Sequence, residues 1–191
     1  MNRIKVILWF LVLIIAALAL SACRGPGEQA ALTETPTATL TAPPAGQQEL
    51  TPCAFTWATQ SLPEVSQQVQ SSLEAAGLSP TAVRAEAYGE NCVEADGTIR
   101  SFSAMETDFH LQLSVADLSD QQALGDLLEK VLVVIDQFPP GKVPGPQTGY
   151  IGVEFSAGQD TLNLWFTARA GQSARTQGLH GADLVAALTN K

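Results

Sequence analysis

The sequence is short of basic residues and of aromatic side chains. Its 191 residues contain 10 lysines and arginines against 19 aspartates and glutamates, and only 6% of the residues are aromatic. So acidic a chain repels phosphate backbones and anionic lipid headgroups. Nucleic acid is therefore not an expected partner, and any attachment to a membrane has to come from something other than a basic patch.

The sequence also lacks the motifs that mark common enzymes. It contains no GxSxG nucleophile elbow, no phosphate-binding glycine loop, no dinucleotide fingerprint and no HExxH helix. No CxxC pair accompanies its two histidines, His110 and His180. The sequence therefore predicts no cofactor and no metal. An enzyme stays open, because catalytic groups converge from distant positions, but no nucleophile with a recognisable base favours one.

A single long apolar run is present, at the amino terminus. Arg3 and Lys5 precede the apolar residues 6–20, a run shorter than the roughly 20 residues that span a bilayer. The small residues Ser21 and Ala22 then lead to Cys23, as a cleavage site requires. The sequence predicts an export signal over residues 1–22 that is removed and builds none of the fold.

Residues Leu20 to Cys23 resemble the lipobox of bacterial lipoproteins. In that family the cysteine receives lipid and becomes the first residue of the mature chain, so the resemblance implies lipid attachment at Cys23. It covers residues 1–23 only, and it implies a protein held by lipid on the extracytoplasmic face of the cell membrane. It does not decide between inner and outer membrane. The alternative is an ordinary secretory signal that leaves Cys23 as a free thiol.

Residues 23–50 have almost nothing to bury. They are rich in threonine, alanine, proline and glycine, with the sequence TETPTAT at the centre. Such a composition predicts a disordered tether. As a flexible coil the tether would hold the following domain on the order of 30 Å from the bilayer. We expect a single globular domain over residues 51–191.

Cys53 and Cys92 are the cysteines of that domain. An even pair in an oxidising compartment predicts a disulfide, and closing a loop of this length stabilises the fold by about 4 kcal/mol in the chain-entropy model. A disulfide also requires the two α-carbons to lie within about 7 Å. We therefore expect the first strand, Cys53 to Trp57, to lie antiparallel beside the strand that ends at Cys92.

The remaining elements follow a repeated order of helix, strand and strand. Each helix has the spacing of a capping box at its start, Ser61 with Glu64 and Ser119 with Gln122. Alternating apolar and polar residues predict the strands, and turn residues between them predict two hairpins. The predicted strands after the first are 83–92, 102–115, 150–155 and 162–168, the helices occupy about 62–76 and 120–138, and a short helix covers 183–188.

These elements predict an α+β domain. We expect a mostly antiparallel sheet of four or five strands with two helices on one face and a short C-terminal helix. The repeated order is consistent with a duplicated helix-strand-strand unit. The alternative is a ferredoxin-like layout with an added hairpin, which the predicted disulfide disfavours.

Strand alternation sorts the side chains into an apolar face and a mixed face. Phe109, Leu111 and Leu113 point one way, whereas Glu106, Asp108 and His110 point the other. Exposed aromatic residues in a polar frame are typical of contact surfaces. The sequence therefore predicts a partner-binding face, although the plainer alternative is that a terminal segment, the last helix or another copy of the protein covers that face. Its members are Tyr88, His110, Tyr150 and Trp165.

The predicted function is binding or assembly at the cell envelope by a lipid-anchored exported domain. The expected partners are the membrane, through lipid on Cys23, and an envelope protein or small ligand. One alternative is an envelope hydrolase that uses Glu106, Asp108 and His110, residues that share a strand face and also offer ligands to a divalent cation. Another is a purely structural lipoprotein. The oligomeric state is not predicted.

Overall fold

This computed structural model describes residues 52–189. The predicted signal peptide and tether, with Cys23, lie outside this range. No helix between residues 52 and 189 has the length and apolar content to cross a membrane. In chain order the elements are β1 (Ala54–Ser61), α1 (Pro63–Ala75), β2 (Pro80–Val93), β3 (Ile99–Ser114), α2 (Gln121–Ile135), β4 (Gln147–Ala157), β5 (Asp160–Thr167), α3 (Ala168–Thr176) and α4 (Gly181–Thr189).

The strands form one sheet in the order β1-β2-β3-β4-β5. The β3–β4 pair is parallel, and the other three pairs are antiparallel. This confirms the α+β class and the mostly antiparallel sheet, and the order differs from the ferredoxin-like alternative. The order of helix, strand and strand repeats along the chain, but the strands are not arranged as two equivalent units in the sheet. Strand β4 runs antiparallel to β2, whereas the corresponding strand of a translated second unit would run parallel to β2.

The first strand is fastened at both ends. The Cys53–Cys92 disulfide is present with 5.3 Å between the α-carbons, and Phe55 is the register partner of Cys92. At the other end the Leu62 N–H donates to the Ala85 carbonyl at 2.9 Å. The predicted antiparallel pairing of this strand with β2 is therefore confirmed, although the strand continues to Ser61 rather than stopping at Trp57.

All four helices contribute to one hydrophobic cluster on one face of the sheet. The largest share comes from α2, in which seven of fifteen residues are buried. The predicted apolar strand face is confirmed, because Phe109, Leu111 and Leu113 of β3 are at most 3% exposed. The other sheet residues in the cluster are Ala85, Ile151, Val153, Phe155, Leu164 and Phe166.

Both predicted capping boxes are wrong. Helix α1 begins after Leu62 without a side-chain cap, because Ser61 is the last residue of β1 and its backbone is extended. Helix α2 is capped by Asp120, whose carboxylate accepts from the Ala123 N–H at 3.0 Å. The Ser119 hydroxyl instead donates to Asp117 at 2.7 Å, so Asp120, the residue after Ser119, caps the helix in its place.

Helix α3 was not predicted from the sequence. It is polar, and Gly171 and Ala174 are its only buried residues, so it lacks the apolar spacing that indicates an amphipathic helix. The Thr167 hydroxyl caps it by accepting from the Ala170 N–H at 3.1 Å. The chain therefore passes from β5 into α3 with no loop between them.

Helices α2 and α4 touch through their backbones. A Cβ atom on Gly125 would lie 1.9 Å from the carbonyl oxygen of Gly181, so a side chain at Gly125 would push the helices apart. The close approach places Leu184, Val185 and Leu188 in the same cluster as α2. The two helices thus form one layer over the sheet.

Candidate binding face

The sheet face opposite the helices carries the polar and aromatic residues that alternation predicted. In β3 these are Glu106, His110 and Gln112, and in β5 they are Asn163 and Trp165, all of them partly or fully exposed. We call this surface the open face. Within residues 52–189, no helix contributes to the open face.

Two rows of register partners cross four strands of the open face. The first, which we call the Trp165 row, runs from Arg84 through His110 and Gly152 to Trp165. The second, the Gln112 row, runs from Ala82 through Gln112 and Glu154 to Asn163. Together the two rows line a shallow groove of about 400 Å³. The groove is therefore built by strands β2 to β5 rather than by loops.

A glycine shapes the groove. A Cβ atom on Gly152 would lie 2.5 Å from Cζ3 of Trp165, so the indole ring occupies the space that any other residue would fill with its side chain. The ring centroid of Trp165 lies 5.0 Å from His110 and 5.4 Å from Tyr150, and the Tyr150 ring is stacked on it at 9°. Three of the four predicted residues therefore form one cluster.

Tyr88, the fourth predicted residue, belongs to a different aromatic pair. It stacks on Trp57 with 5.4 Å between the ring centroids and 10° between the planes. Trp57 was not predicted to lie on the open face, because the side chains of its strand were not assigned to either face of the sheet. The register partner of Trp57 is Glu90, which lies two residues after Tyr88 on β2 and therefore points to the same face. The pairing of β1 with β2 that the disulfide predicts, combined with strand alternation, would have placed Trp57 on the open face.

Charged groups surround His110. The Glu86 carboxylate lies between Arg84 and His110, with Oε1 3.1 Å from Nη1 of Arg84 and Oε2 3.5 Å from Nε2 of His110. Desolvation lowers the pKa of His110, and the Arg84 guanidinium lowers it further, whereas Glu86 and Asp108 oppose them with smaller effects. His110 is therefore held in its neutral form at neutral pH, able both to donate and to accept a hydrogen bond.

Asp108 and Glu106 hold the sheet together at a β-bulge. The Tyr150 N–H donates to Oδ1 of Asp108 at 2.7 Å, at the point where the β3–β4 register shifts. The Gln147 side chain donates to Oε2 of Glu106 at 3.0 Å. Gly149 makes room for both carboxylates, since a Cβ there would lie 2.2 Å from Oδ1 of Asp108. These contacts position Tyr150 over Trp165.

The three residues of the hydrolase alternative thus have three different partners. Glu106 accepts from the Gln147 side chain, Asp108 accepts from the Tyr150 N–H, and His110 lies against Glu86 and Trp165. The second histidine, His180, lies on the helical side of the domain with Nδ1 3.2 Å from Oε2 of Glu129. Among residues 52–189 no group of three or more histidine, cysteine, aspartate or glutamate side chains is arranged to hold a metal ion.

No model of a protein family, no curated protein and no solved structure matches the chain.

The surroundings of His110 predict how its pKa responds to substitution. We expect the pKa of His110 to lie below its ordinary value of 6.5 and to rise in Arg84→Gln, because that change removes a nearby positive charge. Arg169→Gln alters net charge equally on α3 and should leave the pKa of His110 unchanged. NMR titration of the histidine ring protons, assigned with His110→Gln, measures it; a pKa unmoved by Arg84→Gln would contradict this electrostatic account.

The same shift has a consequence for stability. The unfolded chain binds the proton of His110 more tightly than the folded chain does, so this contribution to stability is complete above about pH 6.5 and declines as the pH falls toward the lowered pKa.

Proposed function

We propose that this protein is a lipid-anchored exported domain that binds a ligand or partner at the cell envelope through the groove of its open face. The observation that carries the proposal is the Trp165 cluster, in which an indole 45% exposed to solvent is held in a fixed position by Gly152, His110 and Tyr150. A large aromatic side chain costs little conformational entropy to immobilise on binding. Such preorganised aromatic residues are typical anchors of binding sites.

The chemistry of the two rows favours one kind of ligand. Trp165 offers flat apolar surface in the groove, with the Tyr150 ring stacked beside it, whereas the Gln112 row offers two amides and the Glu154 carboxylate along the neighbouring line of the groove. A ligand with one flat apolar face and hydrogen-bonding groups at its edge would satisfy both rows. Neutral His110 and the Arg84 guanidinium add donors at the far end of the Trp165 row.

The location rests on the amino-terminal sequence. Lipid on Cys23 anchors the chain outside the cytoplasm, and residues 24–50 leave the domain free to reach a partner in the envelope. The Cys53–Cys92 disulfide supports an oxidising compartment, since such bonds are rare in reducing ones.

Truncation of the central aromatic residue tests the groove. We expect Trp165→Ala in the full-length chain to abolish the capture of its partner by crosslinking and pull-down from intact envelopes, because the ligand loses its stacking surface. Trp57→Ala is the matched control, since Trp57 is likewise an exposed tryptophan of the open face but lies outside the groove. Capture that survives Trp165→Ala, or that both variants lose equally, would place the contact elsewhere.

The anchor has its own test. Cells given a radiolabelled fatty acid should incorporate label into the wild-type chain and none into Cys23→Ala, which should leave the membrane fraction. Ser21→Ala keeps a small residue before the cysteine and should be labelled normally. Lipid labelling that persists in Cys23→Ala would refute attachment at this residue.

A further inference from the structure

The aromatic wall of the groove has a single free side. The Tyr150 ring is stacked on the Trp165 indole with 9° between the planes, and Tyr150 does not line the groove. Tyr150 therefore covers one side of the indole, and the groove is bounded by the other side. Quaternary ammonium ligands are held by several rings that surround them, which one free side does not provide. The electron-rich face of an indole instead attracts the weakly positive hydrogens of a flat C–H surface.

Beside the indole, the Gln112 row presents polar side chains that the described chain does not use. Gln112, Glu154 and Asn163 are register partners on adjacent strands. No hydrogen bond or ion pair joins their side chains to one another or to another group of residues 52–189. Adjacent strands lie about 4.8 Å apart, so the three positions extend over about 10 Å, and two residues along each strand separate them by about 7 Å from the Trp165 row. The groove thus has an apolar side and a line of free hydrogen-bonding groups next to it.

The length of this line favours a glycan over a planar heterocycle. A heterocycle carries its polar atoms at a few positions on one edge, which only part of the row can reach. A pyranose ring has C–H groups on its faces and hydroxyl groups around its rim, and successive rings repeat both features along a chain. Each hydroxyl group donates one hydrogen bond and accepts others, so it satisfies the Glu154 carboxylate and the amides of Gln112 and Asn163 alike.

Charge favours a ligand that is neutral. The Arg84 guanidinium lies 3.1 Å from Glu86, and His110 is neutral. Among the groups that line the groove, the Glu154 carboxylate is therefore the charge without a counter-ion within residues 52–189. The whole chain has a net charge of -9. A phosphate or carboxylate group would be repelled in these surroundings, which disfavours nucleotides and acidic glycans.

We propose that the ligand of the groove is a neutral glycan of the cell envelope. The C–H face of one pyranose ring packs on the free side of the Trp165 indole, and its hydroxyl groups and those of the next ring bind Gln112, Glu154 and Asn163. Gly152 leaves the space in which the indole lies, so the sugar ring rests on a surface that is fixed before the ligand arrives. The assignment depends on the proposed role of the groove as a ligand site and fails if that role does.

Selective destruction of envelope components tests the class of ligand. Envelopes from cells that lack this protein, grown on radiolabelled glucose, are treated with proteinase K or with sodium metaperiodate, which cleaves the carbon bonds between neighbouring hydroxyl groups. After the reagents are quenched, the envelopes are sonicated in detergent, so that no bilayer holds the lipid anchor, and are incubated with immobilised full-length protein. The measured quantity is the Trp165-dependent label, which is the label that the wild-type chain retains and Trp165→Ala does not.

The Trp165-dependent label should survive proteinase K, should be lost after metaperiodate, and should yield pyranose sugars on acid hydrolysis. Label lost after proteinase K would indicate a protein partner, and label that survives metaperiodate would indicate a lipid or a heterocycle. Either result, or bound material that yields no pyranose sugar, would overturn the glycan while leaving the proposed binding role of the groove intact. Trp165-dependent label that is absent even with untreated envelopes would refute both.

The polar row has its own test in the same assay. Asn163→Ala and the isosteric Glu154→Gln remove or weaken hydrogen bonds to hydroxyl groups, so each should require about tenfold more envelope material for half-maximal retention. Thr161→Ala is the matched control, because Thr161 is an exposed residue two positions before Asn163 on β5 and does not line the groove. Circular dichroism confirms that each variant is folded. Retention that neither Asn163→Ala nor Glu154→Gln weakens, or that Thr161→Ala weakens equally, would overturn the contacts assigned to the row.

Discussion

The packing of α2 against one face of the sheet is the constraint on which the other features depend. The parallel pair β3–β4 requires a crossover connection, and α2 supplies it with six buried apolar residues that join the same cluster as Phe109 and Ile151. Because side chains alternate along a strand, burying this face of β3 and β4 leaves the other face of both strands to solvent. The backbone contact between Gly125 and Gly181 then adds α4 to the same layer. The open face is therefore a consequence of where the helices lie.

The groove on that face arises from two departures from regular strand structure. Gly152 leaves a space that the Trp165 ring fills, and the bulge at Gly149 turns Tyr150 so that its ring stacks on Trp165. Asp108 satisfies the backbone amide of the bulge, which gives this carboxylate a structural role beside the binding residues. The strand alternation places the aromatic residues on one face, and the glycine and the bulge bring them together.

Sequence reasoning therefore succeeds and fails at identifiable places. Alternation in β3 and β5 predicted which face Phe109 and Trp165 occupy, and the requirement for a short Cys53–Cys92 distance predicted that β1 pairs with β2. The groove was beyond prediction, since the row from Arg84 to Trp165 depends on the register of strands far apart in the chain. The predicted cap of α2 was wrong because two neighbouring side chains can cap the helix, and Asp120 does so instead of Ser119. Helix α3 was missed because packing and the Thr167 cap stabilise it without an apolar stripe.

The central claim is that the open face is occupied in the envelope, and the most direct measurement is the rate at which Trp165 is oxidised by hydroxyl radicals. The indole is 45% exposed in the isolated domain, so it should react readily in purified full-length protein. If the groove binds an envelope component, the oxidation of Trp165, quantified by mass spectrometry, should be several-fold slower in intact envelopes, while that of the exposed Val133 on α2 should not change. Equal rates for Trp165 in the two preparations would contradict the account.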